Sequence, residues 1–494
     1  MRVNLAMWIT AWSLKTRQAE GTKYPHGAAP LEEPKDCATS TVIECPTCTA
    51  EPRGCRNRMR RSWSSLNNAE KQRYINALHT LKWTSTDEGQ QLYGKDFVTY
   101  DELILRHATA ENDPRGDQGH IGEHFAIWHS LFVLKFENAL LSVDPKIGGS
   151  PYWDLRDGLS SVFGSSSLDF GSSTGTGSLY SVEDGAFSNW TVSEYDTVLQ
   201  ETTAQHGISR LYEGLFSNIT GRTLLRQTDV LTEYIVRYPS CTDAVGPTQY
   251  KDSDYDTCVN ETTLSDFNWC LESGIANGAH EFTHFWIGSA DSDIYGFGCP
   301  LFFPPNLTLA GVRVGDYIDK STSVNDPIFF LHHTFVDLMK TDFMRSNPEG
   351  ASSYWSFHAE KTNEMINPWD GTFLYDEVNS LFPFLGSEFL DSPKAPQGPL
   401  KYWEAMCWVG PDTSTYTYDI FDDSLCAAVE EAEPVNEDEA KENDPEKEDE
   451  TGDKTLEKED ETTEEDNSDK ASSSVSTSIQ MVSWFLLVCV FVLV

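Results

Sequence analysis

The stretch GEHFAIWHSLFVLKFENALLSV, residues 122–143, decides how the rest of the chain is read. Phe125, Trp128, Leu131, Phe132, Leu134, Phe136 and Leu140 leave it almost no polar face. A helix that is apolar nearly all round belongs in a core. Yet His129 sits in its middle, and a buried imidazole is costly unless something bonds it. The helix therefore announces a polar site inside the protein.

One such histidine is ordinarily a satisfied core residue, but this one has company. Of the 12 histidines, His107, His120, His124 and His129 form one group, and His280, His284, His332 and His333 form another. The segments that carry them have helical spacing: TYDELILRHAT at 99–109, the stretch at 122–143, a helix at 274–287, and IFFLHHTFVDLMKTDF. The last follows Asp326-Pro327, a capping residue and then a proline at the first helical position. His280 and His284, four apart, project from one helical face, as chelation requires. Two groups on apolar helices predict two metal sites. Further helices are expected in SLNNAEKQRYINALHTLKW, 65–83, and around 193–237, whereas 158–190 is Gly/Ser-rich without periodicity and reads as a long surface loop.

The metal is the next question, because His280-Glu281-x-x-His284 is also the zinc-protease pattern, with the glutamate as the activator of water. The extended protease pattern fails here. Gly288 falls four residues after His284 instead of three, and Ala290 occupies the third-ligand position. His120-Ile-Gly-Glu123-His124 mimics the inverted motif as well, and one protease does not need both. Imidazole-only clusters suit copper as well as zinc, and two three-histidine sites on packed helices suit a coupled pair that binds O2.

At this point the chain resembles the type-3 dicopper family of tyrosinases, catechol oxidases and hemocyanins, most of all the animal tyrosinases. His120, then Trp128-His129, then Phe136-Glu137 resemble the first copper motif, and SPYWDLRDG, 150–158, resembles the segment that follows it. GAFSNW and RTLLRQ resemble intervening segments, and NDPIFFLHHTFVD, 325–337, is similar to the second copper motif. The similarity covers about residues 62–420.

The resemblance implies a mainly α fold: a four-helix bundle enclosing a dicopper centre, with long irregular loops and few short strands. It implies that His107, His120 and His129 hold one copper and His280, His284 and His333 the other, with His79 as the competitor of His107. His332 is then left to pack or bond nearby, and Asp337, one turn beyond His333, is a candidate to orient an imidazole. Family members that hydroxylate monophenols use a glutamate eight residues before the first histidine of the second site, paired with an asparagine after that histidine. Glu272 fits, whereas Glu281 stands in the asparagine position. Gln118 stands where some members carry a thioether cysteine, which implies an unmodified His120, and Ser130 replaces the arginine usual after Trp-His. The implied activity is oxidation of phenols, catechols or tyrosyl groups by O2. The alternatives are a hemocyanin-like O2 carrier and, further off, the zinc protease.

Bulk properties frame this reading. The chain has 494 residues, 39% hydrophobic, with 14 Trp and 26 Phe, enough for one large core. Its net charge of −42 excludes nucleic acid, whose phosphates require a basic footprint. Of 11 cysteines, all but Cys489 form an even set that reads as disulfides, and Asn189, Asn218, Asn260 and Asn306 are glycosylation sequons. The expected order is a signal peptide (1–19), a Cys-rich segment (20–61), the dicopper domain (62–429), an acidic disordered linker (430–478) and an apolar tail (479–494). That tail resembles a glycolipid-anchor signal or a short membrane anchor, so the expected location is the secretory pathway and an extracellular or cell-surface site.

Overall fold

Asn67 starts the first helix. Its side chain accepts hydrogen bonds from the backbone N–H groups of Ala69 and Glu70, and Glu70 reaches back to the Asn67 N–H, closing a capping box. Helix α1 then runs Asn68–Trp83, and a short α2 follows over Thr86–Tyr93. Thr99 caps α3, Tyr100–Glu111, by accepting from the Glu102 N–H at 3.1 Å. The decisive apolar stretch forms α4, Phe125–Val143.

The computed structural model describes residues 57–111, 117–120, 125–194, 216–226, 232–238, 250–273, 278–287, 315–318, 321–348, 380–385, 388–389, 399–401, 405, 408–411 and 414–423. The expected signal peptide, the Cys-rich segment up to residue 56, the acidic linker, the apolar tail and His124 lie outside these residues. No described helix is long and apolar enough to cross a membrane.

Three more helices precede the last motif: α5 (Asp252–Val259), α6 (Leu264–Ser273) and α7 (Ala279–Ile287). The final one, α8, spans Ile328–Ser346, with Asp326 accepting from the Ile328 N–H at its start. Helix α4 packs along α8, where Phe136 stacks on Phe330 with ring centroids 3.7 Å apart. Helix α7 packs on α8 as well, and α1 covers α3 and α4. Helices α3, α4, α7 and α8 thus form the expected bundle, lined by residues with almost no exposure.

Strands are short and paired in twos among the described residues. Strand β1 (Arg58–Arg60) pairs in parallel with β6 (Tyr416–Tyr418), and β4 (Ser380–Leu385) pairs with β5 (Pro399–Lys401). Strands β2 (Phe216–Ile219) and β3 (Arg222–Leu225) form an antiparallel hairpin where helix was expected. The reason is local. Thr220 and Gly221 both take positive φ, 52° and 82°, the two-residue turn whose twist matches antiparallel strands.

Two further differences from the expectations have physical causes. Helices α5 and α6 were not foreseen; each is short, and a Cys258–Cys270 disulfide joins them. Residues 158–190 are irregular as expected but do not lie wholly on the surface: Val162, Phe163, Phe170, Phe187 and Trp190 are buried. Apolar residues scattered without a period still fill a core when turns aim them inward. Trp190 does so, edge-on to Tyr100 with centroids 4.8 Å apart.

Candidate metal centre

Two clusters of three imidazoles lie inside the bundle. His107 on α3, His120 just before α4 and His129 on α4 bring one ring nitrogen each within 4.8 Å of one another, and so do His280 and His284 on α7 with His333 on α8. All six are buried. His79 joins neither cluster. It stacks on Phe187 and its Nε2 bonds the Ala186 carbonyl at 3.0 Å, so it is a packing residue.

Hydrogen bonds decide which nitrogen faces inward. His129 Nδ1–H donates to the Phe125 carbonyl at 2.9 Å, leaving Nε2 facing His107 Nε2 at 3.4 Å. His120 Nδ1–H donates to Asp117 at 3.1 Å, and the same carboxylate oxygen accepts from the backbone N–H groups of Gly119 and His120. His284 Nδ1–H donates to the Tyr317 carbonyl at 2.5 Å, which turns its Nε2 toward His280 Nε2, 3.1 Å away. A ring whose outer nitrogen donates presents a lone pair on the inner one, the arrangement that metal-ligating histidines share.

His332 behaves differently from its neighbour. Tyr317 O–H donates to His332 Nδ1 at 2.6 Å, and His332 Nε2–H donates to the Ala279 carbonyl at 3.1 Å, so both its nitrogens are used. His333 is 0% exposed, and among the described residues neither of its nitrogens has a hydrogen-bond partner. An imidazole buried in that state is unfavourable, and a metal ion satisfies it. The six residues therefore fit a pair of ions.

Electrostatics favour the same state. Burial first, and the neighbouring imidazole second, push His129, His280, His332 and His333 well below the ordinary histidine pKa; the neighbours are His120 for His129, His284 for His280 and His332, and His129 for His333. Neutral imidazoles are the form that binds metal.

The two clusters touch. His129 and His333 stack with centroids 4.5 Å apart, and Phe125 packs against both His129 and His280 at 4.6 and 4.5 Å. Phe329 lies on His333 at 4.0 Å. Glu272 is buried on α6 and Glu281 half-buried on α7, two helices that pack together; neither belongs to a cluster.

Asp337 does not orient an imidazole. It accepts from Arg60 Nη1 at 2.7 Å, from Tyr418 O–H, from Ser130 Oγ and from Lys340 Nζ at 2.6 Å. Burial raises its pKa, but Lys340, Arg60 and Ser130 outweigh burial and hold it at about 2. Only Lys340 is a local partner; the other three come from α4, β1 and β6, far away in sequence, where no spacing along α8 reveals them. Tyr317, Asp117 and Phe125 were missed for a related reason. Two of them act through backbone carbonyls, which side-chain patterns do not report, although an aspartate three residues before His120 was a usable signal.

Six buried imidazoles in two abutting sets of three, carried by a four-helix bundle, define a type-3 dicopper protein. The common central domain of tyrosinase matches residues 70–346, and the chain belongs to the tyrosinase family. It is 25% identical over 322 residues to a tyrosinase of Streptomyces antibioticus, covering 64% of this chain and 93% of that one. With a tyrosinase of Oryzias latipes it shares 23% over 375 residues, covering 69% and 61%. A solved polyphenol oxidase from Thermothelomyces thermophila matches with a TM-score of 0.43 and 16% identity over 73% of this chain and 88% of that chain. The protein is accordingly an oxidoreductase with two copper ions as cofactor, and O2 is the co-substrate of its family.

Proposed function

We propose that the chain is a phenol oxidase that converts o-diphenols to o-quinones with O2 and also hydroxylates monophenols at the ortho position. The observation that carries this reading is the contact between the triads through His129 and His333, which would make one centre of the two ions the triads hold. His107, His120 and His129 hold one copper, and His280, His284 and His333 the other. The bound pair supplies the electron transfer by which two diphenols and one O2 become two quinones and two waters.

The chain's own groups do the rest. Asp117 and the carbonyls of Phe125 and Tyr317 hold the ring tautomers. His120 and His284, at 4% and 5% exposure, are the least buried of the six, so a phenol approaches on their side. Hydroxylation requires the phenol to lose its proton, and Glu281, with Glu272 on the adjoining helix, is the base for that step. Replacing Glu281 by Asn lowers the rate with monophenol relative to diphenol on this reading; an unchanged ratio removes the role.

We also propose that the protein passes through the secretory pathway and is extracellular or held at the cell surface by residues 479–494, where its quinones feed melanin or crosslinking of a matrix. The Cys258–Cys270 disulfide and the exposure of the sequon residues Asn189 and Asn260 support the oxidising compartment.

The test is the full chain, secreted, assayed for copper and for quinone from catechol and from tyrosine. About two coppers per chain and quinone from both substrates support the proposal. Reversible O2 binding without quinone returns the chain to the carriers, and absence of copper overturns the reading.

A further inference from the structure

Four charged side chains are buried together below the two triads. Arg60 Nε donates to Glu137 at 2.7 Å and its Nη1 to Asp337 at 2.7 Å. Lys340 Nζ donates to Asp337, to Ser130 Oγ at 2.8 Å and to the Val409 carbonyl at 2.8 Å, which uses all its protons. Arg60, Glu137, Asp337, Lys340 and Ser130 are at most 1% exposed, and the half-buried Arg58 adds a second cation on Glu137 at 3.0 Å. Such a set seldom adds net stability, since apolar residues of the same shape serve as well. What charges and hydroxyls add is direction, because their bonds exist in one register only.

That register is the one that matters to the site. Ser130 follows His129 on α4, and Asp337 lies one turn beyond His333 on α8. His129 and His333 belong to different triads and meet ring to ring, so the spacing between triads follows how α4 sits on α8. Ser130 Oγ accepts from Lys340 Nζ and lies against Asp337, which joins the two helices directly beside those rings, its one proton shared between Asp337 and the Ala126 carbonyl one turn back. The cation that meets Ser130, Lys340, comes from α8 itself.

Resting on the reading of the six histidines as copper ligands, we propose that Ser130, Asp337 and Lys340 form a positioning lock that fixes the separation of the two triads. None of the three touches substrate. Their effect passes through His129 and His333.

Ser130→Ala cuts the lock from α4 while leaving the four charges paired. In the full chain loaded with Cu(II), it is expected to keep both coppers but lose part of their magnetic coupling, so that EPR signal appears where the parent is silent. The kcat for catechol should fall about 10- to 100-fold with KM nearly unchanged, the signature of misplaced reacting groups. Ser130→Thr, which keeps the hydroxyl, should restore silence, and Ser130→Cys should behave as Ala does. Arg345→Ala, which removes the distant Arg345–Asp423 pair, should lower the melting temperature without EPR signal. Ser130→Ala with silent copper and the parent's kcat, however much its melting temperature falls, overturns the lock and leaves the cluster a packing feature. Failure of the copper reading shows separately, as a parent chain that binds no copper pair, and it overturns the lock as well.

Discussion

The imidazoles of His129 and His333 stack at 4.5 Å with planes 21° apart, and each belongs to a different triad. Their contact makes one centre out of two three-histidine sites, and α4 and α8, separated by nearly 200 residues of chain, must pack side by side to produce it.

Adjacent histidines should respond differently to removal. His333→Ala deletes a ring whose nitrogens have no other partner among the described residues, so copper should drop from about two per chain to about one and catechol oxidation should cease. His332→Ala deletes a ring whose nitrogens bond Tyr317 and Ala279 among the described residues, and it should retain both ions at reduced affinity. Elemental analysis after gel filtration distinguishes the two; equal loss in both would reverse the ligand assignment.

Tyr317 touches the second triad through its carbonyl on His284, and its hydroxyl donates to the neighbouring His332, which lies outside the triad. Burial pushes its phenol pKa well above the usual value, which keeps it a donor. Tyr317→Phe removes only the second bond. Copper affinity should fall by less than the about 10- to 100-fold that follows loss of a group bonded to a metal ligand itself, because His332 is not one. Competition with a chelator measures it, and an unchanged affinity shows that the hydroxyl has no part.

Acid should unfold the protein in two windows. Asp337 is held at about 2 against an unfolded value of about 3.9. Its folded pKa is depressed, so its contribution, about 2–3 kcal/mol, is complete above about pH 4 and lost as pH falls toward 2. The four histidines with depressed pKa add an earlier loss in the copper-free protein: below about pH 6.5 the unfolded chain takes up protons that the folded one refuses. Urea midpoints from pH 8 to 2.5 should fall in both ranges. Asp337→Ala at pH 7 should cost about 3–5 kcal/mol, because Lys340 is left buried without its carboxylate and Arg60 keeps only Glu137.

The β2–β3 turn offers a test away from the site. Gly221 has φ of 82° with no atom near the position of a Cβ, so Gly221→Ala meets strain but no clash. It should cost about 1 kcal/mol by thermal melting and leave copper content unchanged. A neutral result would mean that the turn relaxes freely.

Sequence by itself determined the bundle helices and the two groups of histidines they carry, and the family resemblance picked six of the eight as ligands. Helical periodicity and i to i+4 spacing are local, and an imidazole on an apolar helix stands out against its neighbours. The apolar run at 125–143, the Asp326-Pro327 start and the His280/His284 pair are all of this kind. Only the tertiary structure decided the rest. The Thr220-Gly221 hairpin replaced an expected helix because two positive φ angles, not composition, set its direction. Asp337 went to Arg60, Lys340, Ser130 and Tyr418 instead of an imidazole because a carboxylate bonds whatever the fold brings near, and Arg60 and Tyr418 come from opposite ends of the domain. The Tyr317 carbonyl holds His284 although no side-chain pattern marks it. Periodicity is written residue by residue along the chain; a hydrogen-bond partner is known only when distant segments meet.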